Sequence, residues 1–234
     1  MIKKAMVLAA GFGKRLNPLT LSCPKPLLKF GNETLLFNTL KFLELAGIEQ
    51  AIINVHYLAE QIEDYIHDKK FKIKIEIIKE NKEILDTGGG ILNVIEKFSN
   101  EPFLTINPDT IWSSEYLKEL DMMKKIFFGN KEIQCLLLVV NKKKSYDSSI
   151  IGDFELNQKL INRKNKNNLD YIYTGLQIIK PEVFLNLKYK VFSINKIWDQ
   201  LILNKKLYGI KSDIDFLHVS TLDIYEKLLK KIKH

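Results

Sequence analysis

The chain has 234 residues, with 36 Lys and Arg against 28 Asp and Glu and a formal net charge of +8. At 46% hydrophobic and 27% charged it has the make-up of a folded globular domain, which excludes a chain disordered throughout. Its two cysteines, Cys23 and Cys135, exclude a disulfide framework or a structural zinc site.

The longest early apolar run, Ala5 to Gly11, is followed by Phe-Gly-Lys-Arg and not by a cleavage pattern, and no stretch approaches the ~20 residues of a membrane span. A cytoplasmic, reducing setting without a membrane partner is expected. Positive residues come in short groups interleaved with acids, such as Lys142 to Lys144 and Lys230 to Lys233. They lack the aromatic spacing of an RNA-binding sheet, so no nucleic-acid partner is expected.

Ala5 to Ala9 reads as a compact strand that ends in the turn Ala10-Gly11-Phe12-Gly13. Leu35 to Ala46 carries Leu36, Leu40 and Leu43 on one face and stops at Gly47, as a helix with a glycine cap does. Ala51 to Val55 is a buried strand, Glu60 to Ile66 a helix, and Ile73 to Ile78 a strand with one wet side. A helix is predicted after the run Gly88 to Gly90, through Phe98. Phe103 to Ile106 is then a short strand ending in Asn107-Pro108-Asp109. The alternation predicts an α/β sheet with helices on its faces, and places Asp109 at a strand's C-terminal edge, where open α/β sheets bind ligands.

Glu115 to Ile126 reads as helix, and Gln134 to Val140 and Tyr171 to Ile179 as strands. Between those strands Asn141 to Asn168 is polar and reads as a hairpin-bearing excursion with too few apolar residues to be a domain. Ile194 to Leu203 and Leu222 to Ile232 read as helices, the second opened by a Ser220 or Thr221 cap. A single domain over 1–234 is expected.

Chemistry concentrates in Leu8-Ala9-Ala10-Gly11-Phe12-Gly13-Lys14-Arg15, continued by Cys23-Pro24-Lys25-Pro26. A strand ending in small residues and two glycines lets backbone N–H groups approach an anion, which Lys14, Arg15 and Lys25 neutralise. The third glycine of a dinucleotide fingerprint and the Walker pattern are both absent; simple turn glycines and a solvated Lys25 are the bland alternatives. Asp109 closes a hydrophobic strand and suits Mg²⁺, which accepts one or two carboxylates beside phosphate oxygens. A cap on the Trp112-Ser113 turn is its structural alternative. Gly88 to Gly90 permit close backbone approach, or form a flexible turn at a helix start.

LAAGFGKRLNPLT followed by CPKPLL resembles the signature of the sugar-nucleotidyltransferase family, which joins a nucleoside triphosphate to a sugar 1-phosphate and releases pyrophosphate. The likeness continues through Asp86-Thr87-Gly88-Gly89-Gly90, Asn107-Pro108-Asp109, Tyr173-Thr174-Gly175 and His218-Val219-Ser220-Thr221. It covers essentially the whole chain, as for a short member without the C-terminal β-helix of longer relatives. Within the family it most resembles the N-acetylmuramate 1-phosphate uridylyltransferases of bacterial cell-wall recycling, with mannose-1-phosphate guanylyltransferases as near neighbours.

The resemblance implies a Rossmann-like, mostly parallel sheet flanked by helices. It implies that Ala9, Ala10, Gly11 and Gly13 cradle ribose and phosphates, that Arg15 grips the departing phosphates, and that Lys25 stabilises the α-phosphate. Glu80, Thr87 and Gly88 would meet the base, and Glu80 would accept an N–H that uracil and guanine both offer. Asp109 would hold Mg²⁺.

The sugar 1-phosphate would meet 141–180, through Asn141, Asp153, Thr174 and Gly175. Arg163 or Lys164 is an optional phosphate contact, and Asp199 with Trp198 an optional sugar contact. Pro108 replaces a common Gly. His218 replaces an Asp that joins the first Asp on the metal in many relatives, so it is expected on the metal, on a water or phosphate, or in a structural role. UTP is the expected nucleotide and a monomer or homodimer the expected state. The alternatives are GTP with mannose 1-phosphate, a choline-phosphate cytidylyltransferase, and a non-catalytic nucleotide sensor.

Overall fold

The structure is a computed structural model that describes residues 1–80, 83–163, 169–185 and 187–232. In chain order the elements are β1 (Lys4–Leu8), β2 (Lys29–Phe30), β3 (Glu33–Thr34), α1 (Leu35–Leu45), β4 (Gln50–Val55), α2 (Ala59–Asp68), β5 (Lys74–Lys79), α3 (Asp86–Asn93) and β6 (Phe103–Ile106). They continue as α4 (Tyr116–Gly129), β7 (Cys135–Asn141), β8 (Glu155–Asn157), β9 (Leu160–Asn162), β10 (Tyr171–Ile179), α5 (Asn195–Leu203), β11 (Leu207–Ser212) and α6 (Leu222–Lys231).

The main sheet runs β5-β4-β1-β6-β10-β7-β11-β9-β8. Its first four strands are parallel, as the βα alternation predicts. β10 then enters antiparallel to both β6 and β7, and β11 lies parallel to β7. The sheet is therefore mixed, parallel in its first four strands, and flanked by helices as the Rossmann-like expectation has it. Among the described residues the link from β7 to β10 carries a hairpin, β8 with β9, and no α-helix of the kind that usually joins parallel neighbours.

The strands that run beside the site are buried on both faces, and their alternation sends side chains to two cores. In β1, Ala5 and Val7 join the core under α1 and α4, while Met6 joins the opposite core with Ile91, Phe98 and Trp198. β4 and β7 divide in the same way, Ile53 and Leu136 to the first, Ile52 and Leu137 to the second. Leu36, Leu40 and Leu43 bury the predicted face of α1. Thr34 caps it, accepting from Phe37 N at 3.1 Å, and Gly47 at φ 75° ends it.

A third cluster joins α6 to the glycine loop: Ile224, Tyr225 and Leu228 pack on Leu16, Leu28 and Leu35. The Thr221 side chain is the cap of α6, accepting from Ile224 N. The last helix thus buttresses the loop that carries Lys25, a contact that joins the two ends of the sequence.

The β2–β3 hairpin, β11 and the bounds of α3, which ends at Asn93 and not at Phe98, differ from the sequence reading. β11 has no counterpart in it, because Leu-Tyr-Gly-Ile-Lys-Ser mixes Gly and Lys into a short run. And α3 starts at Asp86, two residues before the glycines, so Gly88 to Gly90 lie inside the helix. Glycine there costs about 1 kcal/mol relative to Ala. The packing supplies the reason: an added Cβ at Gly89 would lie 2.2 Å from the Lys190 carbonyl oxygen, and at Gly88 2.3 Å from the Phe192 ring.

Candidate active site

A pocket of about 360 Å³ opens at the C-terminal ends of β1, β4 and β6. Ala9, Ala10, Gly11, Gly13 and Arg15 line one side, Asn54, Glu80, Asp86 and Thr87 another, and Lys25, Asn107 and Asp109 the remainder. The glycine loop is built by local bonds. Leu16 N donates to the Gly13 carbonyl at 2.8 Å, and the Thr20 hydroxyl donates to the same oxygen at 3.0 Å. Gly13 is left-handed at φ 65°, a region that costs an L-residue energy. Gly11 and Arg15 are exposed at the mouth.

Lys25 opens a 3-10 turn between Pro24 and Pro26. Its Nζ lies 2.5 Å from Asp109 Oδ2. Asp109 itself is fixed by the strands around it. Val219 N donates to the Asp109 carbonyl at 2.8 Å, Asn107 N to the Gly175 carbonyl at 2.9 Å, and the Trp112 indole N–H to the Asn107 carbonyl at 2.9 Å. Trp112 therefore holds the turn from its far side.

His218 Nε2 stands 3.2 Å from the same Asp109 oxygen, with its ring stacked on Phe216 at an interplanar angle of 7°. Burial alone raises the Asp109 carboxyl, but the charges and hydrogen bonds of Lys25 and His218 outweigh it and hold the carboxyl well below the usual range. The group is ionised throughout the neutral range.

Asp109 Oδ1 is buried and has no hydrogen-bond partner. Among the described residues no group of three or more His, Cys, Asp or Glu converges for a metal. One carboxylate with a spare oxygen fits a hard cation that draws its other oxygens from phosphate and water, the habit of Mg²⁺. His218 shares the site, but its Nε2 faces the carboxylate, so the geometry makes it a partner of Asp109.

On the base side, Glu80 Oε1 accepts from Asn54 Nδ2 at 2.7 Å and Oε2 from Leu85 N at 2.9 Å. The Thr87 hydroxyl accepts from Ile194 N at 2.9 Å. Gly88 is the exception among the nucleotide candidates. It is buried against Phe192, outside the pocket lining. Its want of a side chain serves helix packing.

On the acceptor side, Asn141, Asp153, Thr174, Gly175 and Asp199 all lie outside this pocket. Asn141 caps the turn 142–144 by accepting from Lys143 N at 3.1 Å. Asp153 accepts from Tyr173 N at 2.9 Å, and burial raises its carboxyl. The Thr174 hydroxyl donates to the Leu138 carbonyl at 2.9 Å, while the Thr174 carbonyl accepts from the Thr110 hydroxyl at 2.7 Å. Gly175, at φ 95°, faces Asn107 where a Cβ would come within 2.9 Å.

Thr174 and Gly175 thus brace the turn that carries Asp109. Asp199 pairs with Arg163 at 3.0 Å, and Trp198 is a core residue whose indole donates to Gln177 at 2.9 Å. Lys164 lies outside the described residues. Sequence reasoning missed Asn54. Its signal is a lone amide in an otherwise apolar strand, Ala51-Ile52-Ile53-Asn54-Val55, since a buried polar side chain must have partners.

A glycine loop, the cations Lys14, Arg15 and Lys25 and the partly buried Asp109 carboxylate, around a pocket at the C-terminal ends of parallel strands, define a phosphate-handling α/β protein. The nucleotidyl transferase family model matches residues 4–192. The chain is 30% identical over 222 residues, 93% of its length and 91% of the relative's, to N-acetylmuramate α-1-phosphate uridylyltransferase of Caulobacter vibrioides. It is 30% identical to the mannose-1-phosphate guanylyltransferase catalytic subunit beta of Drosophila melanogaster, over 88% of this chain and 56% of that protein.

Among solved structures, HddC of Yersinia pseudotuberculosis shares the fold with a TM-score of 0.75 at 22% identity, over 99% of this chain and 100% of the other. The chain belongs to the nucleotidyl transferase family. It is an enzyme that joins a nucleoside triphosphate to a sugar 1-phosphate. No described helix is long and apolar enough to cross a membrane.

Proposed function

We propose that the enzyme joins UTP to N-acetylmuramate 1-phosphate, giving the UDP-sugar and pyrophosphate, in the recycling of cell-wall sugars. The observation that carries the reading is the 30% identity to N-acetylmuramate α-1-phosphate uridylyltransferase across nine-tenths of both chains.

A phosphate oxygen of the sugar 1-phosphate attacks the α-phosphorus. The new P–O bond forms as the bond from that phosphorus to the bridging oxygen breaks, and pyrophosphate leaves with the electron pair. The phosphate dianion is already a nucleophile, so no general base is required. Lys25 neutralises the α-phosphate and Arg15 the departing phosphates, while the loop from Ala9 to Gly13 aligns them. Asp109, oriented by His218, would hold Mg²⁺, which supplies charge neutralisation on the phosphates when bound.

The test is a panel of UTP, GTP, CTP and dTTP against N-acetylmuramate, N-acetylglucosamine, glucose and mannose 1-phosphates, read by pyrophosphate release. UTP with N-acetylmuramate 1-phosphate is expected to give the highest kcat/KM. The second reading, GTP with mannose 1-phosphate, draws on the Drosophila relative; preference for that pair would overturn the first choice of substrates and keep the chemistry.

A further inference from the structure

One buried polar chain connects three elements of the nucleotide pocket. The Ala9 N–H donates to Asn54 Oδ1 at 3.0 Å, Asn54 Nδ2 donates to Glu80 Oε1 at 2.7 Å, and Leu85 N donates to Glu80 Oε2 at 2.9 Å. Asn54 and Glu80 are 4% and 3% exposed. Buried at that depth, each amide and carboxylate atom must be satisfied by its neighbour, so the chain tolerates few other arrangements.

Asn54 is opposite Leu8 in the β1–β4 register, and β1 ends there. The side chain of Asn54 therefore takes over where the strand ladder stops, and fixes the Leu8–Ala9 peptide at the mouth of the glycine loop. A planar trans peptide fixed at its N–H has its carbonyl fixed as well, on the opposite side. The same amide orients Glu80, and through it the backbone at Leu85 just before α3.

Gly90 supplies an independent sign that this bond is built in. An added Cβ there would lie 2.8 Å from Asn54 Nδ2 and 2.9 Å from Glu80 Oε1. The third glycine of the run leaves room for this hydrogen bond.

We infer that Asn54 is a positioning residue for nucleotide binding, which sets the glycine loop and the Glu80 wall at one fixed separation through its two-sided amide. This rests on the reading of the pocket as the nucleoside triphosphate site. Asn54 bonds to Ala9 and Glu80 and, among the described residues, not to Asp109 or an acceptor-side candidate, so its effect is expected on the nucleotide.

The experiment measures UTP and GTP affinity by calorimetry without an acceptor, with amide hydrogen exchange at Ala9 as the second readout. Asn54→Asp places a carboxylate against Glu80 and is expected to weaken nucleotide binding by about tenfold or more and to expose the Ala9 N–H to exchange, with KM for the sugar 1-phosphate unchanged. Adding Glu80→Gln reverses donor and acceptor between positions 54 and 80 while leaving acceptors for Ala9 N and Leu85 N. The double variant is expected to restore Ala9 protection and to recover affinity to within about threefold.

Wild-type affinity in Asn54→Asp, or a double variant that leaves Ala9 unprotected, overturns the inference. Restored protection without restored affinity also overturns it, because Glu80 would then act on the base directly and not through Asn54. Should Asn54→Asp fail to fold, Gly90→Ala strains the same bond from the α3 side and is expected to weaken nucleotide binding, with wild-type affinity counting against the inference. A wild-type protein that binds nucleotide but transfers it to no sugar 1-phosphate would strike the proposed reaction and leave these binding results standing.

Discussion

Lys25 Nζ and Asp109 Oδ2 lie 2.5 Å apart across 84 residues of sequence, with side chains only 13% and 19% exposed. On the proposed reading, the cation expected at the α-phosphate is neutralised, before substrate arrives, by the carboxylate that would hold the metal. Binding of a metal–triphosphate complex would exchange this one pair for two, Lys25 with phosphate and Asp109 with the cation. Each ion would thereby keep a partner in both states, which limits the desolvation cost of a mostly buried ion.

Asp109→Asn is expected to lower the metal-dependent rate by about 10²-fold or more, since it removes the carboxylate that fits the cation. Metal-free nucleotide should bind it at least as tightly as wild type, because a negative charge facing the phosphates is gone and Lys25 is released. Pyrophosphate release and calorimetry check the two halves. A near-wild-type rate would refute the metal role of Asp109.

His218→Asp places a second carboxylate beside Asp109, at the position where the family resemblance implies one. Activity should survive with half-maximal rate at a lower Mg²⁺ concentration, because two carboxylates hold the cation more strongly than one. A Mg²⁺ titration of initial rate reads this. Collapse of activity at every Mg²⁺ concentration would instead assign the imidazole a role of its own beside Asp109.

Gly13→Ala forces an L-residue to φ 65° and places its Cβ 3.0 Å from the Thr20 methyl and 3.1 Å from Lys25 Cβ. A loss of about 1–2 kcal/mol in stability is expected from the backbone alone. The push on Lys25 should add a fall in kcat. Denaturant melts paired with steady-state kinetics test it, and a variant with unchanged stability would mean that the loop relaxes out of this conformation.

Burial raises the Glu119 carboxyl, partly offset by the Ser212 hydroxyl and Asp213 N–H that donate to Oε1, while Oε2 is buried without a partner. A raised carboxyl binds its proton more tightly folded than unfolded. Glu119 therefore costs stability once pH exceeds its folded value, and that cost disappears as pH falls to the unfolded value of about 4.3. Glu119→Gln should raise Tm at pH 7 by ~2–4 °C, for ~1 kcal/mol in a chain of this size. The gain should vanish near pH ~4. Melts across that range decide it, with no gain at pH 7 as the contrary result.

The sequence by itself determined the parallel half of the sheet and the nature of the site. Alternation of β1, α1, β4, α2 and β5 is a local pattern, and Gly11, Gly13, Arg15 and Lys25 fall within one short stretch whose chemistry is legible from residue type and spacing. Asp109 could be read because it closes a hydrophobic strand. Tertiary structure alone decided which strand lies beside β6, that Gly88 to Gly90 are packing glycines under Lys190 and Phe192, and that Thr174 and Gly175 brace the Asp109 turn.

It alone decided, too, that Asn54 meets Ala9 and Glu80, and that Lys25 meets both Asp109 and, through it, His218. These are contacts between residues far apart in the chain, so no local periodicity records them. They exist because buried polar atoms must find partners wherever the fold brings them, and that matching is a property of the assembled sheet.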